Sequence, residues 1–388
     1  MALGASVASP AVRSPSAVLK AILPAPVRRR GRRVAAAATE RAWAARLGRA
    51  SLPSGMSPSG VRSRGPGRLA EERAPATERL FARLAPGDLA ELETRLRSSG
   101  ERVELPVTPG APPRRPTLLE LFEAAEWPER ERLSLAFGLH LEVPGFGERT
   151  GLPAAVPPDD VHAMTRSPLA AGGSYYHADL VLDALASAGA ELAPGVRALD
   201  FGCSSGRVVG VLAAARPDVD WHGCDPIASS VEWARETWTG VAFAPQPKRP
   251  PLAYEEGSFD LVYAISVWSH FAERPALAWF EEMHRVLRPG GHLVFTTHGL
   301  QSCSYYGDRL MRSTRSLIET RSALYDRGFW FAPESGGIEE WGLEDPEWGM
   351  AFMTAEWVVE RLCPAWRAAE FAAGRNEENQ DVYVLERA

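Results

Sequence analysis

The sequence predicts an α/β fold, a mostly parallel sheet with helices on both faces, and two observations carry that prediction. From residue 174 onward, short apolar strand candidates alternate with helical stretches, the pattern that builds parallel sheets. The first strand candidate runs into "LDFGCSSGR" (199–207), which sets an acid and then glycines where strand should give way to helix. Sheets of this kind bind ligands beyond the carboxyl ends of their strands. A chain of 388 residues, 45% of them hydrophobic, accommodates one large domain with an appendage, or two domains.

Taken in order, residues 1–70 are rich in Ala, Arg, Ser, Pro and Gly and cannot bury a core, so a disordered basic tail is expected there. Within it "VRRRGRRVAAAATERAWAARLGRA" admits a second reading, a basic helix with Trp43 and Leu47 on one face making peripheral contact with a membrane surface. From 76 to 141 apolar residues recur three and four apart, giving a small helical N-terminal region over 76–155. The proline- and glycine-rich "LEVPGFGERTGLPAAVPPDD" marks a boundary, and the main domain is expected over 160–388. It opens with the helix "SYYHADLVLDALASAG". The strand candidates are "VRALDF", "DVDWHGCD", "VAFA", "FDLVYAIS" and "HLVFTTH", with "SSVEWARETW" and "ALAWFEEMHRVL" as helices between them. After these comes an aromatic-rich insertion at about 299–350 that carries Tyr305, Tyr306, Tyr325, Phe329, Trp330, Phe331, Trp341 and Trp348. Its aromatic faces suit either a hydrophobic cap or stacking on a sugar or planar acceptor.

Charge narrows the class of partner. Residues 1–70 hold 13 basic side chains against the single acid Glu40, which leaves the remainder at a net charge of −18. An acidic body argues against nucleic acid held on a broad positive surface and favours small or neutral substrates. No window approaches the roughly 18 to 20 apolar residues of a membrane-spanning helix, and the start lacks the apolar core of a secretory signal, so a cytoplasmic protein is expected. Cys203, Cys224, Cys303 and Cys363 form no CxxC pair, and neither a disulfide framework nor a metal site is expected.

At the first strand tip Gly202 and Gly206 are four apart behind Asp200, which is not the GxGxxG of a dinucleotide fold. An acid there suits a cationic ligand better than a pyrophosphate. Nineteen residues after Gly206, Asp225 ends the second strand, where a carboxylate can accept both hydroxyls of a ribose. With "GSFDLVYAISVWSHF" and "HRVLRPGGHLVFTTHG" following in order, the chain resembles the class I S-adenosylmethionine-dependent methyltransferases, most strongly over residues 170–300. The resemblance implies a Rossmann-like, doubly wound, seven-stranded sheet, mostly parallel, in which "EWGMAFMTAEWVVERL" and the final residues form a helix and a C-terminal antiparallel strand pair. It implies S-adenosyl-L-methionine as cofactor. Asp200, Gly202, Cys203, Ser204 and Gly206 would hold its methionine end, Asp225 with Pro226 its ribose, Gln246 would lie near adenine, and Ser266 would follow the fourth strand at the same site. Ser204 departs from the pattern, which has glycine there, and no acid stands near Gln246.

The reading that follows is methyl transfer to an oxygen, or second to a nitrogen, of a small molecule or glycan. The glycan option comes from "PPDDVHAMTRSP" and "QDVYVLER", which resemble bacterial methyltransferases found with surface-glycan systems. His270 and His298, just past the fourth and fifth strands, are the candidate bases, because an unperturbed imidazole titrates near neutral pH. An inactive cofactor-binding scaffold is the alternative outside enzymes, and a nicotinamide-dependent oxidoreductase is a rival that the missing GxGxxG opposes.

Overall fold

The computed structural model describes residues 73–103, 115–159, 161, 168–306, 314–333, 345–377 and 379–388. The tail expected over 1–70 and Trp341 lie outside the described residues.

Among the described residues five short helices come first: α1 (Pro75–Phe81), α2 (Pro86–Ser99), α3 (Leu118–Ala124), α4 (Glu129–His140) and α5 (Phe146–Thr150). Local chemistry starts α3, since Thr117 Oγ1 accepts the Glu120 amide at 3.1 Å while the Glu120 carboxylate accepts the Thr117 amide at 2.8 Å. The start of α1 is capped from afar. Asp179, on α6 (Pro168–Ser187), accepts the amides of Ala76 and Thr77 at 2.9 Å each, the Thr77 hydroxyl at 2.6 Å and Arg132 Nε at 2.9 Å.

After α6 the chain alternates: β1 (Arg197–Phe201), α7 (Arg207–Ala215), β2 (Asp220–Asp225), α8 (Ala228–Thr237), β3 (Val241–Pro245), β4 (Phe259–Ala264), α9 (Glu273–Val286) and β5 (Leu287–Thr297). Then follow α10 (Leu300–Tyr306), α11 (Thr314–Arg327), β6 (Phe329–Pro333), β7 (Gly349–Met353), α12 (Ala355–Leu362), β8 (Trp366–Asn376) and β9 (Gln380–Arg387). One seven-stranded sheet has the order β3-β2-β1-β4-β5-β9-β8, with only β9 running against its neighbours. The expected doubly wound architecture is therefore present.

Two apolar cores lie on the faces of this sheet. One unites α1 to α4 and α6 with Val209 and Leu212 of α7; the other holds Trp268, Trp279, Phe280 and Trp357. In α9, Ala276, Trp279, Phe280, Met283 and Val286 are buried at helical spacing, which fixes the face it turns to the sheet. Burying such side chains contributes roughly 1.5 to 3 kcal/mol each.

Two details differ from the pattern reading. The turn "RPGG" is drawn into β5, with an irregular register between Phe259↔Leu287 and Leu261↔His292 that absorbs the extra residues as a bulge. The stretch "GMAFM", read as the approach to a helix, is instead β7, paired antiparallel with β6 in a separate two-stranded sheet. Three of its residues, Ala351 to Met353, are buried in succession, so it lacks the alternation that marks a half-exposed strand.

Candidate active site

The carboxyl ends of β1, β2 and β3 gather the first group of expected residues. Asp200, on the last turn of β1, is buried, and the chain then bends through Gly202 at φ +81°, Ser204 at φ +48° and Gly206 at φ +74°. At Gly202 only glycine fits. A Cβ there would stand 2.6 Å from Val267 Cγ2, in a backbone conformation that L side chains rarely adopt. Ser204 takes the left-handed conformation in spite of its Cβ, at a cost of about 1 to 2 kcal/mol. Its amide is held in return, donating to Asp225 Oδ2 at 2.8 Å. The amides of Gly202 and Cys203 both donate to the Cys224 carbonyl, at 2.9 and 3.0 Å, which ties the bend to β2. Gly206 then caps α7.

Asp225 is as deeply placed as Asp200. Its Oδ1 accepts the Ile227 amide at 2.9 Å across Pro226, which has no amide hydrogen to compete. Gln246 follows β3, donating its amide to the Asp225 carbonyl at 3.0 Å, and its side-chain Oε1 is buried with no hydrogen-bond partner among the described residues. Neither aspartate has a cationic partner among the described residues. Burial raises the Asp200 carboxyl to about 7; the Tyr263 phenol draws it back, and the charge of Asp225 pushes it up further. That phenol, on β4, lies in electrostatic reach of the carboxylate without a hydrogen bond of ordinary geometry. Asp225 is raised to about 6 by burial, against the amides of Ile227 and Ser204. Burial also lifts the Cys203 and Cys224 thiols well above their usual range, so both stay protonated.

The ends of β4 and β5 hold the second group. Ser266 lies at φ +62°, its amide donating to Thr296 Oγ1 at 2.8 Å. His270 stacks on Trp348 with ring centroids 4.9 Å apart and planes within 8°, and its Nδ1 donates to the Gly349 carbonyl at 2.9 Å. That bond makes Nδ1 a donor. His298 is 3% exposed, with Nδ1 donating to the Ala351 carbonyl at 3.2 Å and Nε2 facing Gln380 Nε2 at 3.3 Å. Burial, with His270 nearby, pushes it down to about 3. Both ring nitrogens of His298 thus face internal partners. His270 lies close enough to act on His298, but the two stand in unlike environments.

Pattern reading missed Gln380, Thr296, Tyr263 and the Trp348 partner of His270. A polar run, "RNEENQD", between two apolar strands was the one available signal for Gln380. Nothing local distinguishes Tyr263 from the core residues beside it.

Comparison with known proteins adds the family. Residues 198–291 match the model of a methyltransferase domain. A 37.1 kDa uncharacterized protein in transposon TN4556 of Streptomyces fradiae is 37% identical over 118 residues, 30% of this chain and 32% of that protein. The chain therefore spans about a third of the length of this curated relative. Among solved structures, the PH0226 protein of Pyrococcus horikoshii is 16% identical with a TM-score of 0.39, over 60% of this chain and 97% of that one. The N-methyltransferase NodS of Bradyrhizobium japonicum, solved with S-adenosyl-L-homocysteine, is 18% identical with a TM-score of 0.35, over 55% and 85%. Residues 198–291 thus match a methyltransferase domain, and they lie within the seven-stranded sheet of order β3-β2-β1-β4-β5-β9-β8.

Proposed function

We propose that the whole protein transfers a methyl group from S-adenosylmethionine to a hydroxyl oxygen of a small molecule or glycan. The observation that carries this reading is the pair of buried carboxylates at adjacent strand tips, Asp200 and Asp225, raised by burial and lacking a cation among the described residues. A ligand that brings an ammonium and two ribose hydroxyls suits them, and the orphaned Oε1 of Gln246 suits a donor such as the adenine amino group. When bound, the cofactor supplies an electrophilic methyl group on a sulfonium.

The protein's part is placement and proton removal. The Gly202–Gly206 bend brings backbone close to the ligand, and Asp225 holds the ribose edge while itself fixed by two amides. Aligning an acceptor in this way contributes up to about 7 to 11 kcal/mol in favourable cases. Of the two histidines, His270 is the one assigned to take the acceptor's proton, its ring oriented by the Nδ1 bond to Gly349 and by the stack on Trp348. Trp348, stacked on that ring, carries a buried Nε1 with no hydrogen-bond partner among the described residues, a donor that a hydroxylated acceptor would satisfy.

Calorimetry with S-adenosylhomocysteine and with NAD is the first test, followed by incubation of the full chain and labelled S-adenosylmethionine with an extract of the source cells. Binding of the nucleoside and label in a small molecule or glycan are expected. Tight NAD binding with silence toward S-adenosylhomocysteine overturns the reading.

A further inference from the structure

The side chain that ties the second half of the site together is Gln380, the first residue of β9. Its Oε1 accepts the Thr296 hydroxyl at 2.7 Å and Asn376 Nδ2 at 3.2 Å; its Nε2 donates to Ser266 Oγ at 2.7 Å and approaches His298 Nε2 at 3.3 Å. These bonds reach β5, β8, the bend after β4, and the residue after β5.

Donor counting gives these bonds a self-consistent set of protons. Thr296 Oγ1 accepts the Ser266 amide, so its own hydrogen goes to Gln380 Oε1, and that orients the amide. Nε2 must then be the donor to Ser266 Oγ and to His298. With Nε2 of His298 accepting and the Ala351 carbonyl taking the other nitrogen's hydrogen, the imidazole is the neutral Nδ1–H tautomer. The Ser269 hydroxyl donates to the Ser266 carbonyl at 2.7 Å, which leaves Ser269 Oγ to accept from Ser266 Oγ at 3.0 Å. Turning the amide over would demand hydrogens on both nitrogens of His298, an imidazolium in a buried site.

We propose that Gln380 is a positioning residue of the methyl-transfer site, holding the Ser266 bend in its left-handed conformation and keeping the Nε2 of His298 occupied, so that His298 anchors β7 and does not take the acceptor's proton. The inference rests on the methyltransferase reading. His298 adds a second tie to β7, its carbonyl accepting the Met353 amide at 2.9 Å. Of the ionisable groups around it, His270 on the bend after β4 acts on His298, while Asp381, the neighbour of Gln380, is engaged with the Gly374 amide at 2.8 Å.

The experiment records long-range ¹H–¹⁵N histidine spectra of the full chain across pH 4 to 8 for the parent, Gln380→Glu and Gln380→Leu, with His298→Asn to assign the signal. S-adenosylhomocysteine affinity is measured alongside. In the parent, His298 is expected as Nδ1–H and neutral down to about pH 5. Gln380→Glu, nearly the same size, replaces the donor by a carboxylate and should raise the His298 midpoint by about two pH units or more. Gln380→Leu releases Ser266 and should weaken S-adenosylhomocysteine binding by roughly tenfold. A parent His298 that titrates near 6.5 or carries its hydrogen on Nε2 overturns the proposal, as does Gln380→Leu binding the nucleoside as tightly as the parent. Should the parent not bind S-adenosylhomocysteine at all, the methyltransferase reading falls while the spectra still decide the bond network.

Discussion

At the scale of single residues, Asp200 and Asp225 set how the molecule responds to pH. Their folded-state values, about 7 and about 6, lie above the ordinary value of 3.8 that they take in the unfolded chain. Between about pH 4 and pH 7 the unfolded chain has given up these protons while the folded one keeps them, so stability without ligand falls as pH rises through that window. The effect is on the order of a few kcal/mol for the pair. On the proposed function binding runs the other way, because it is the ionised carboxylates that would hold an ammonium and ribose hydroxyls. S-adenosylhomocysteine affinity, measured by calorimetry, should rise by roughly an order of magnitude from pH 5.5 to pH 8. Asp200→Asn should flatten much of both trends, and an unchanged stability profile in that variant would remove burial of Asp200 as their cause.

At the scale of elements, β7 is held both by its pairing with β6 and by backbone bonds to the bend after β4. The amides of Gly349 and Ala351 donate to the carbonyls of His270 and Ser269 at 2.8 Å each, joining β7 to the bend after β4. The residues leading into it are latched by charge. Arg249, three residues past Gln246, reaches Asp345 at 2.7 Å and Glu347 at 2.8 Å, and Arg274 reaches Glu347 at 2.6 Å. Hydrogen bonding to Arg274 holds the Glu347 carboxyl below its usual range, so the latch is complete above that range and loosens as pH falls through the lowered value. These ion pairs are largely solvated and add little to global stability. Arg249→Ala should therefore leave the melting temperature nearly unchanged while speeding hydrogen exchange at the Gly349 and Ala351 amides. Unaltered exchange there would show that the backbone zipper alone holds the strand.

For the molecule as a whole, the helical region that precedes the sheet is part of its core. Leu80, Leu92, Phe122, Phe137 and Tyr175 share one apolar cluster with Ala198 of β1 and Tyr263 of β4. At its centre sits the Asp179–Arg132 pair, both side chains almost fully inaccessible, with the α1 amides on the same carboxylate. Burial raises the Asp179 carboxyl even though Arg132 and Thr77 draw it down. Removing one partner of such a pair strands the other charge, at about 3 to 5 kcal/mol. Asp179→Ala should lower the urea midpoint accordingly, with tryptophan fluorescence and far-ultraviolet circular dichroism moving together. Separate transitions would mean that the helices and the sheet unfold as independent units. Among the described residues no helix is long and apolar enough to cross a membrane.

The sequence by itself determined the sheet and the acids and glycines that stand at its first strand tips. The apolar runs of β1, β4 and β5, the glycines of the first bend, and acids at two strand tips are local requirements of a parallel sheet whose loops approach a ligand, so they are written at fixed short spacings. Ser204 was legible as a departure, and the fold answers it with the Asp225 bond. Only the tertiary structure decided the arrangement at the ends of β4 and β5. Gln380 lies 82 residues from His298 and 114 from Ser266 along the chain, and no periodicity links positions that meet because β9 returns antiparallel beside β5. The distinction between His270 and His298 has the same origin. Both follow strand tips as similar local patterns, and what separates them is burial and the partners brought by β7 and β9, which are properties of packing.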